Sequence, residues 1–595
     1  MTKHFAGFLA RFKKMTPWKI GLLAATLLYA LLALYTPLRF FGSDDTPILR
    51  SFMGYEGGVP ARFNLIIHTG FAWLLYGLTT VFPGIAWYSI LQLVLLWFSC
   101  VVIIKSMAQI ALRGKLPLWA GALSGVMFLL AYASLILARI SFTTTNALLG
   151  AAAVMQLLSI DFANEKAARI VRGMGLSVFL LLCAYSLRQL SVLPALAFWL
   201  LAVALIFFMH YAKKSDSDKK GGALRRARPL LLGVLLCAVS FGVFAGVRLM
   251  EIKITGAQPW LSWQQVRSDV FDFTNFVTDT PPETLEEIGW SRSEFALIGR
   301  WYFLDQNITE EALKTLYAAQ PAASATLADK VSQIPATLDT FFADNPAFWT
   351  LCGLLALLCL AGTLLQIMGK PSFSWLCLGS GLGLGLGAVM LLYLAYNGRL
   401  PMRAAVSAIF PTGAFLLAWT LLLYGQCQKK LPRALLVICL ALLIGVSGLA
   451  TVQTAQRLYV APPEPDEEVV TPILNPTLDA YALENPDVMI FYDMSLLWDS
   501  RLFPDVSEGI PTNLAFWGGW PVRSPSWNYQ LSTFDIDAEG FTARDFLREN
   551  VVFASGVAEP PNDLLNYIAE SSEGEIEWDF YDTDGYLYFF QFYEY

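Results

Sequence analysis

Apolar runs of membrane-crossing length recur along the chain, separated by short polar breaks and by two long polar stretches. Spans are read at about 18–37, 86–104, 117–138, 143–160, 173–188, 190–211, 229–248, 347–368, 373–396, 405–424 and 434–453. A helix needs about 20 apolar residues to cross roughly 30 Å of hydrocarbon, which is the length these runs approach. A further apolar stretch, 64–83, begins with Arg62, Asn64 and His68 and ends at Pro83-Gly84, which suits a short interfacial or re-entrant helix. The predicted fold is mainly α: a polytopic bundle of eleven spans with a small α/β domain at its C-terminal end.

Composition agrees with the pattern. Hydrophobic residues make up 56% of the chain, charged residues 15%, and mean hydropathy is +0.52. That little charge cannot cover the surface of a soluble protein this size. The N-terminus carries Lys3, Arg11, Lys13, Lys14 and Lys19 and then a full-length span without a small-residue cleavage site. The first span is therefore expected to stay as an anchor.

Charge then orients the bundle. With a cytoplasmic N-terminus and a non-spanning 64–83, the basic loops 105–116, 161–172, 212–228 and 425–433 all face the cytoplasm. Counting 64–83 as a span would put the strongly basic 212–228 segment outside. The expected arrangement is N-in and C-out in the cell (inner or plasma) membrane, with a membrane module over 1–460. Loops 38–85 and 249–346 and a domain over 461–595 would be extracytoplasmic.

The tail differs from the rest. After Ala461-Pro462-Pro463-Glu464-Pro465-Asp466 it contains no lysine, and from 461 onward it holds 26 acidic residues against four arginines. Strand-like runs at Val488–Tyr492, Val551–Ala554 and Tyr586–Phe590 alternate with helical stretches at Phe541–Glu549 and Pro561–Glu570, the pattern of a small α/β domain. Loop 249–346 reads as helical, notably at Thr309–Tyr317 and Ala325–Phe342. None of the eight cysteines lies in the large polar regions, and three histidines make a His/Cys metal site improbable. There is no P-loop, GxGxxG turn, GxSxG elbow or HExxH helix. Basic residues form no outward soluble face for nucleic acid.

Four groups of residues carry candidate chemistry. Ser43-Asp44-Asp45 follows the first span; a carboxylate pair there can act as general base or hold a divalent cation such as Mg2+ or Mn2+. Asp45 or Thr46 could equally cap a helix starting near Pro47. Arg139, Arg188, Arg248, Arg399 and Arg403 sit at outer ends of spans, with Arg39, Arg50 and Arg62 in the first outer loop, against the orientation rule. Guanidinium matches phosphate bidentately, so Arg399, Arg403, Arg139, Arg188 and Arg62 are candidates for a lipid-linked phosphate; headgroup anchoring is the plainer account. Tyr396-Asn397-Gly398-Arg399-Leu400-Pro401-Met402-Arg403 reads as a tight outer turn. Trp517, Trp520 and Trp527 could stack on sugar faces, or fill a core. Arg267, Asp269, Asp272 and Asn275 read as the water-facing side of a helix.

Together these features resemble the GT-C glycosyltransferase superfamily, in which an acidic pair follows the first span, juxtamembrane helices line the first loop, and many members carry a soluble C-terminal domain. Val266–Asp272, the stretch from Gly289-Trp290-Ser291 to Trp301–Asp305, and Asn513 to Pro525 resemble large bacterial membrane proteins of this kind. The resemblance implies a polyprenyl-phosphate-linked sugar as donor, a cell-envelope glycan or lipid as acceptor, and inverting displacement at the membrane surface. It implies Asp44 or Asp45 as base, with Arg399 and Arg403 steadying the departing phosphate. The WWDxG string of oligosaccharyltransferases is absent. Two other classes compete. A transporter or flippase for lipid-linked sugars calls for repeat-related halves and midplane charges, which the spans do not show. A non-catalytic envelope assembly protein would use the tail to dock a partner.

Overall fold

A computed structural model describes residues 15–35, 38–41, 44–133, 137, 139–208, 227–272, 280, 282–320, 326–369, 376–398, 400–426, 445, 449, 474–493, 496, 501–582 and 587–595. Eight of its helices are long and apolar enough to cross a membrane: Pro17–Leu34, Trp87–Arg113, Ala167–Leu187, Leu190–Phe207, Arg228–Thr255, Phe348–Leu365, Gly379–Tyr396 and Met402–Tyr424. The chain is a multi-pass membrane protein.

The first half of the bundle is built from α1 (Pro17–Tyr35), strand β1 (Arg39–Phe40), α2 (Asp45–Met53), α3 (Thr69–Val81), α4 (Trp87–Arg113), α5 (Leu118–Phe128), strand β2 (Arg139–Ile140), α6 (Phe142–Ser159), α7 (Ala167–Leu187), α8 (Leu193–Phe207) and α9 (Arg228–Thr255). Two expected spans depart from the simple pattern. The run at 117–138 is the shorter apolar helix α5, continued by a π-helical turn at Leu129–Ala133. The run at 143–160 is α6, whose 18 residues are all buried. Its threonines, Asn146 and Gln156 lower its apolarity, which is affordable because protein rather than lipid surrounds it. Asn146 Nδ2 donates to the carbonyls of Ala184 and Arg188 at 2.5 and 2.9 Å. The expected span at 434–453 lies almost wholly outside the described residues.

The ambiguous stretch 64–83 forms α3, which has 13 residues. At 1.5 Å per residue it reaches about 20 Å, short of a bilayer crossing. His68 starts it: Nδ1 accepts from Gly70 N at 3.1 Å, which leaves Nε2 to donate to the Phe244 carbonyl at 2.9 Å. Small residues let spans approach closely, as packing in lipid requires. A Cβ on Gly121 would strike Ala111 and Ala108 of α4 at 2.6 and 2.7 Å.

Helices α10 (Gln258–Phe271), α11 (Pro282–Ile288), α12 (Arg292–Gly299), α13 (Glu310–Ala319) and α14 (Leu327–Asp344) fill the long polar loop; α15 (Ala347–Gly369), α16 (Leu376–Tyr396) and α17 (Met402–Gln426) complete the bundle. The tail contains α18 (Leu474–Glu484), β3 (Met489–Tyr492), β4 (Leu514–Phe516), α19 (Pro525–Ser532), β5 (Val551–Ser555), α20 (Asn562–Glu570), β6 (Ile576–Asp582) and β7 (Tyr588–Glu594). Its five strands lie in the order β4-β3-β5-β7-β6. The first three are parallel, and β7 and β6 join antiparallel. The helical stretch expected at Phe541–Glu549 is only a 3-10 turn at Ala543–Leu547.

Two large hydrophobic cores form among the described residues, beside a small cluster of Phe63, Ala257 and Trp260. One fills the bundle. The other draws on the polar loop, with Trp263, Leu304 and Leu313, and on the tail, with Phe491, Trp517 and Phe590. The loop and the tail thus fold against one another above the bundle.

Candidate active site at the polar end of the bundle

The chain leaves α1 through β1, which pairs in parallel with β2 and sets Arg39 opposite Arg139 and Phe40 opposite Ile140. Five residues beyond Phe40, and after Gly42 and Ser43, which lie outside the described residues, helix α2 begins at Asp45. Asp44 stands at its N-cap position without a side-chain cap bond, and Asp45 is its first residue.

The two carboxylates have opposite surroundings. Asp45 is buried, and its Oδ1 accepts from Tyr88 Oη at 2.7 Å, Gln92 Nε2 at 3.1 Å and Phe142 N at 3.1 Å. Burial raises its pKa to about 8, against the Tyr88 and Phe142 hydrogen bonds. Asp44 is partly open and pairs with Arg403 Nη1 at 2.7 Å, the two side chains being 29% and 28% exposed. Asp44 is therefore the carboxylate that a hydroxyl can reach. Asp45 knits α2 to the starts of α4 and α6. A guanidinium engages Asp44 and three donors engage Asp45 Oδ1, while Asp45 Oδ2 is buried without a hydrogen-bond partner among the described residues.

Protonated Asp45 makes a sign-definite prediction. The unfolded carboxyl ionises near 3.8 and the folded one near 8, so between those values the folded state keeps a proton that the unfolded state has lost. Wild-type stability from this group is full at low pH and is lost as pH rises through 8. Asp45→Asn, which matches the neutral acid in shape, is expected to fold and to remove this loss. Unfolding midpoints in detergent at pH 5 and pH 8 check it; an equal pH response in both proteins would contradict it.

The arginines separate into distinct groups. Arg403 reaches the acidic pair directly. Arg139 and Arg39 have no carboxylate partner among the described residues, and burial followed by the Arg39 charge lowers the Arg139 pKa. Arg188 donates to Thr143 Oγ1 at 2.7 Å and lies over the Phe142 ring, one residue from the ribbon's exit. Arg62 is mostly exposed, 3.8 Å from buried Glu251 and over Trp73. Arg248 donates to the Asn64 and Leu65 carbonyls at 2.8 and 3.2 Å. Arg50 pairs with Asp479 of the tail. Arg399 lies outside the described residues.

The tryptophans are packed. Trp517 and Trp527 are buried and Trp520 nearly so. The Trp517 ring stacks on Phe553 at 4.8 Å and meets Tyr302 edge-on at 5.6 Å, so no face remains for a sugar. Trp517→Ala is expected to cost about 3–5 kcal/mol of stability through the cavity it leaves. Trp517→Phe should fold and keep its activity. A folded but inactive phenylalanine variant would restore the sugar-stacking role.

Sequence reasoning missed Tyr88 and Gln92, because they sit inside an apolar span whose periodicity hid them. It also misplaced Arg267, which faces inward rather than to water. Its Nε donates to Gln264 Oε1 at 2.8 Å, its Nη2 pairs with Asp272 at 3.2 Å, and its guanidinium lies against Trp301 and Phe303. Burial lowers its pKa, opposed by Asp272 and, more weakly, by the charge of Asp44. Among the described residues no group of three or more His, Cys, Asp and Glu side chains could hold a metal.

Two solved structures of ArnT from Cupriavidus metallidurans align with this chain. The one bound to undecaprenyl phosphate matches at 12% identity and a TM-score of 0.34, covering 96% of this chain and 97% of that one. The apo form gives the same identity and TM-score over 95% and 97%. No protein-family model matches, and no curated protein does.

Proposed function

We propose that this chain is a membrane glycosyltransferase of the GT-C type. It moves a sugar from a polyprenyl-phosphate donor to a glycan or lipid acceptor of the cell envelope, on the extracytoplasmic face. The membrane module is 1–460 and the extracytoplasmic domain 461–595. The observation that carries the proposal is the Asp44–Arg403 pair: a reachable carboxylate and a guanidinium 2.7 Å apart, at the bundle's polar end. Arg39 and Arg139 add two cations on the adjoining ribbon.

The chemistry follows from those groups. The acceptor hydroxyl attacks the anomeric carbon as the bond to the phosphate oxygen breaks, and Asp44 takes the hydroxyl proton. Arg403 matches the fork of the phosphate and receives the charge that develops on the leaving group. In the resting state Arg403 holds Asp44; a donor phosphate competes for the guanidinium and leaves Asp44 as the nearest proton acceptor. Asp45 remains protonated at neutral pH and acts by holding α2.

The test is binding of polyprenyl phosphate to the purified protein in detergent. It is expected to raise the unfolding midpoint of wild type and not that of Arg403→Ala, while inorganic phosphate at equal concentration has no effect. A wild-type midpoint that polyprenyl phosphate leaves unmoved contradicts the proposal.

A further inference from the structure

Helix α2 is held at both ends by different parts of the chain. Its nine residues span about 13 Å, with Asp44 and Asp45 at one end and Arg50 in the last turn at the other. Arg50 Nη2 meets Asp479 Oδ1 of α18 at 2.9 Å, and each side chain is only 10% exposed. The guanidinium also covers the Tyr55 ring at 4.8 Å. Gly54, with φ of 93°, closes the helix, its N–H donating to the Arg50 carbonyl.

The turn that follows is stitched to the tail by its backbone. Gly57 N donates to the Thr512 carbonyl at 3.3 Å, and Glu56 forms an antiparallel bridge with Asn513. Gln530 Nε2 donates to the Thr512 and Leu514 carbonyls at 2.8 and 2.9 Å. Asn513 Nδ2 then reaches the carbonyls of Ala482, Asn485 and Val488 at 3.1, 2.9 and 2.8 Å, which ties this strand entrance to the end of α18. On the other flank, Ser89 Oγ, one residue from Tyr88, donates to the Leu502 carbonyl at 2.5 Å, and Arg39 bridges to Arg501.

We infer that the C-terminal domain is the positioning element of the base. Asp479, acting through Arg50, fixes the axis of α2 and so sets Asp44 against Arg403. Neither Asp479 nor Arg50 touches the reacting atoms, and the inference rests on the assignment of Asp44 as base. Displacing a catalytic group by about 1 Å can cost on the order of 10²-fold in rate. A charge pair buried between the base helix and a separate domain is the kind of contact whose length sets that displacement.

Asp479→Glu keeps both charges and lengthens the contact by one methylene; Asp479→Asn keeps the shape and removes the charge. Both are assayed for sugar transfer from radiolabelled polyprenyl-phosphate sugars in proteoliposomes, beside wild type and Asp44→Asn. Unfolding midpoints are measured on the same preparations. The expected result is a fall in kcat of at least about tenfold in folded Asp479→Glu, with the donor KM within about twofold of wild type. The charge-reversed pair, Arg50→Asp with Asp479→Arg, should recover part of the loss that Asp479→Asn shows. Folded Asp479 variants that transfer at the wild-type rate, or that raise KM with kcat unchanged, overturn the inference while Asp44 stays assigned. Should Asp479→Asn not fold, Asp479→Glu alone decides. A wild type that transfers nothing, like Asp44→Asn, sinks the base assignment and the inference with it.

Discussion

Asp44→Asn is expected to lower sugar transfer by about 10²–10⁴-fold, the range that a positioned general base supplies. The fold should tolerate the change. Asp44 makes no side-chain cap bond to α2, and its pair with Arg403 is partly open to solvent. Such pairs contribute about 0–1 kcal/mol to stability. Donor binding should survive as well, because asparagine frees Arg403 for the phosphate. The signature is therefore lost kcat with an unchanged or lower donor KM. Asp45→Asn, by contrast, should transfer within a few-fold of wild type, since Asp45 is buried and held by Tyr88, Gln92 and the Phe142 amide. If Asp45→Asn were the inactive variant and Asp44→Asn the active one, the two roles would be reversed.

Arg403→Ala carries the second large effect. Removing a guanidinium that meets the leaving phosphate should cost about 10²–10³-fold in kcat/KM, the loss typical of one group that stabilises developing charge. Arg403→Lys keeps the charge but not the planar fork, so only partial recovery is expected. Steady-state transfer at varied donor concentration checks both. Because the freed Arg403 still holds the donor phosphate in Asp44→Asn, the double variant should lose a further factor, seen chiefly as a raised donor KM.

The parts of this structure that periodicity and charge control were legible in the sequence. Eight of the eleven apolar runs coincide with helices long and apolar enough to cross. The basic loops demanded a non-spanning 64–83, and α3 is too short to cross. Thr309–Tyr317 and Ala325–Phe342 anticipated α13 and α14 within a few residues. The acidic pair was marked by its place just beyond the outer end of the first span.

What the sequence concealed was partnership at long range. Arg50 and Arg403 looked alike as unexpected outer arginines, yet one clasps Asp479, 429 residues away, and the other Asp44, 359 residues away. Asp44 and Asp45 are adjacent and chemically identical, and only the helix start between them makes one open and the other buried. Arg267 showed a helical polar face that fits water equally well; the tail's second core is what encloses it. The tryptophans of 517–527 carried the composition of a carbohydrate platform and the structure of a core, a distinction that depends on Phe553 and Tyr302 lying against them.

The most direct measurement is a structure of the purified protein with polyprenyl phosphate bound. The phosphate should lie within hydrogen-bond distance of Arg403, with the Asp44 carboxylate turned from that guanidinium towards the open space beside it and the lipid tail running between spans. A phosphate bound at the end of the bundle that carries the basic loops, or one that leaves the Asp44–Arg403 pair intact and distant, would contradict the proposed transfer.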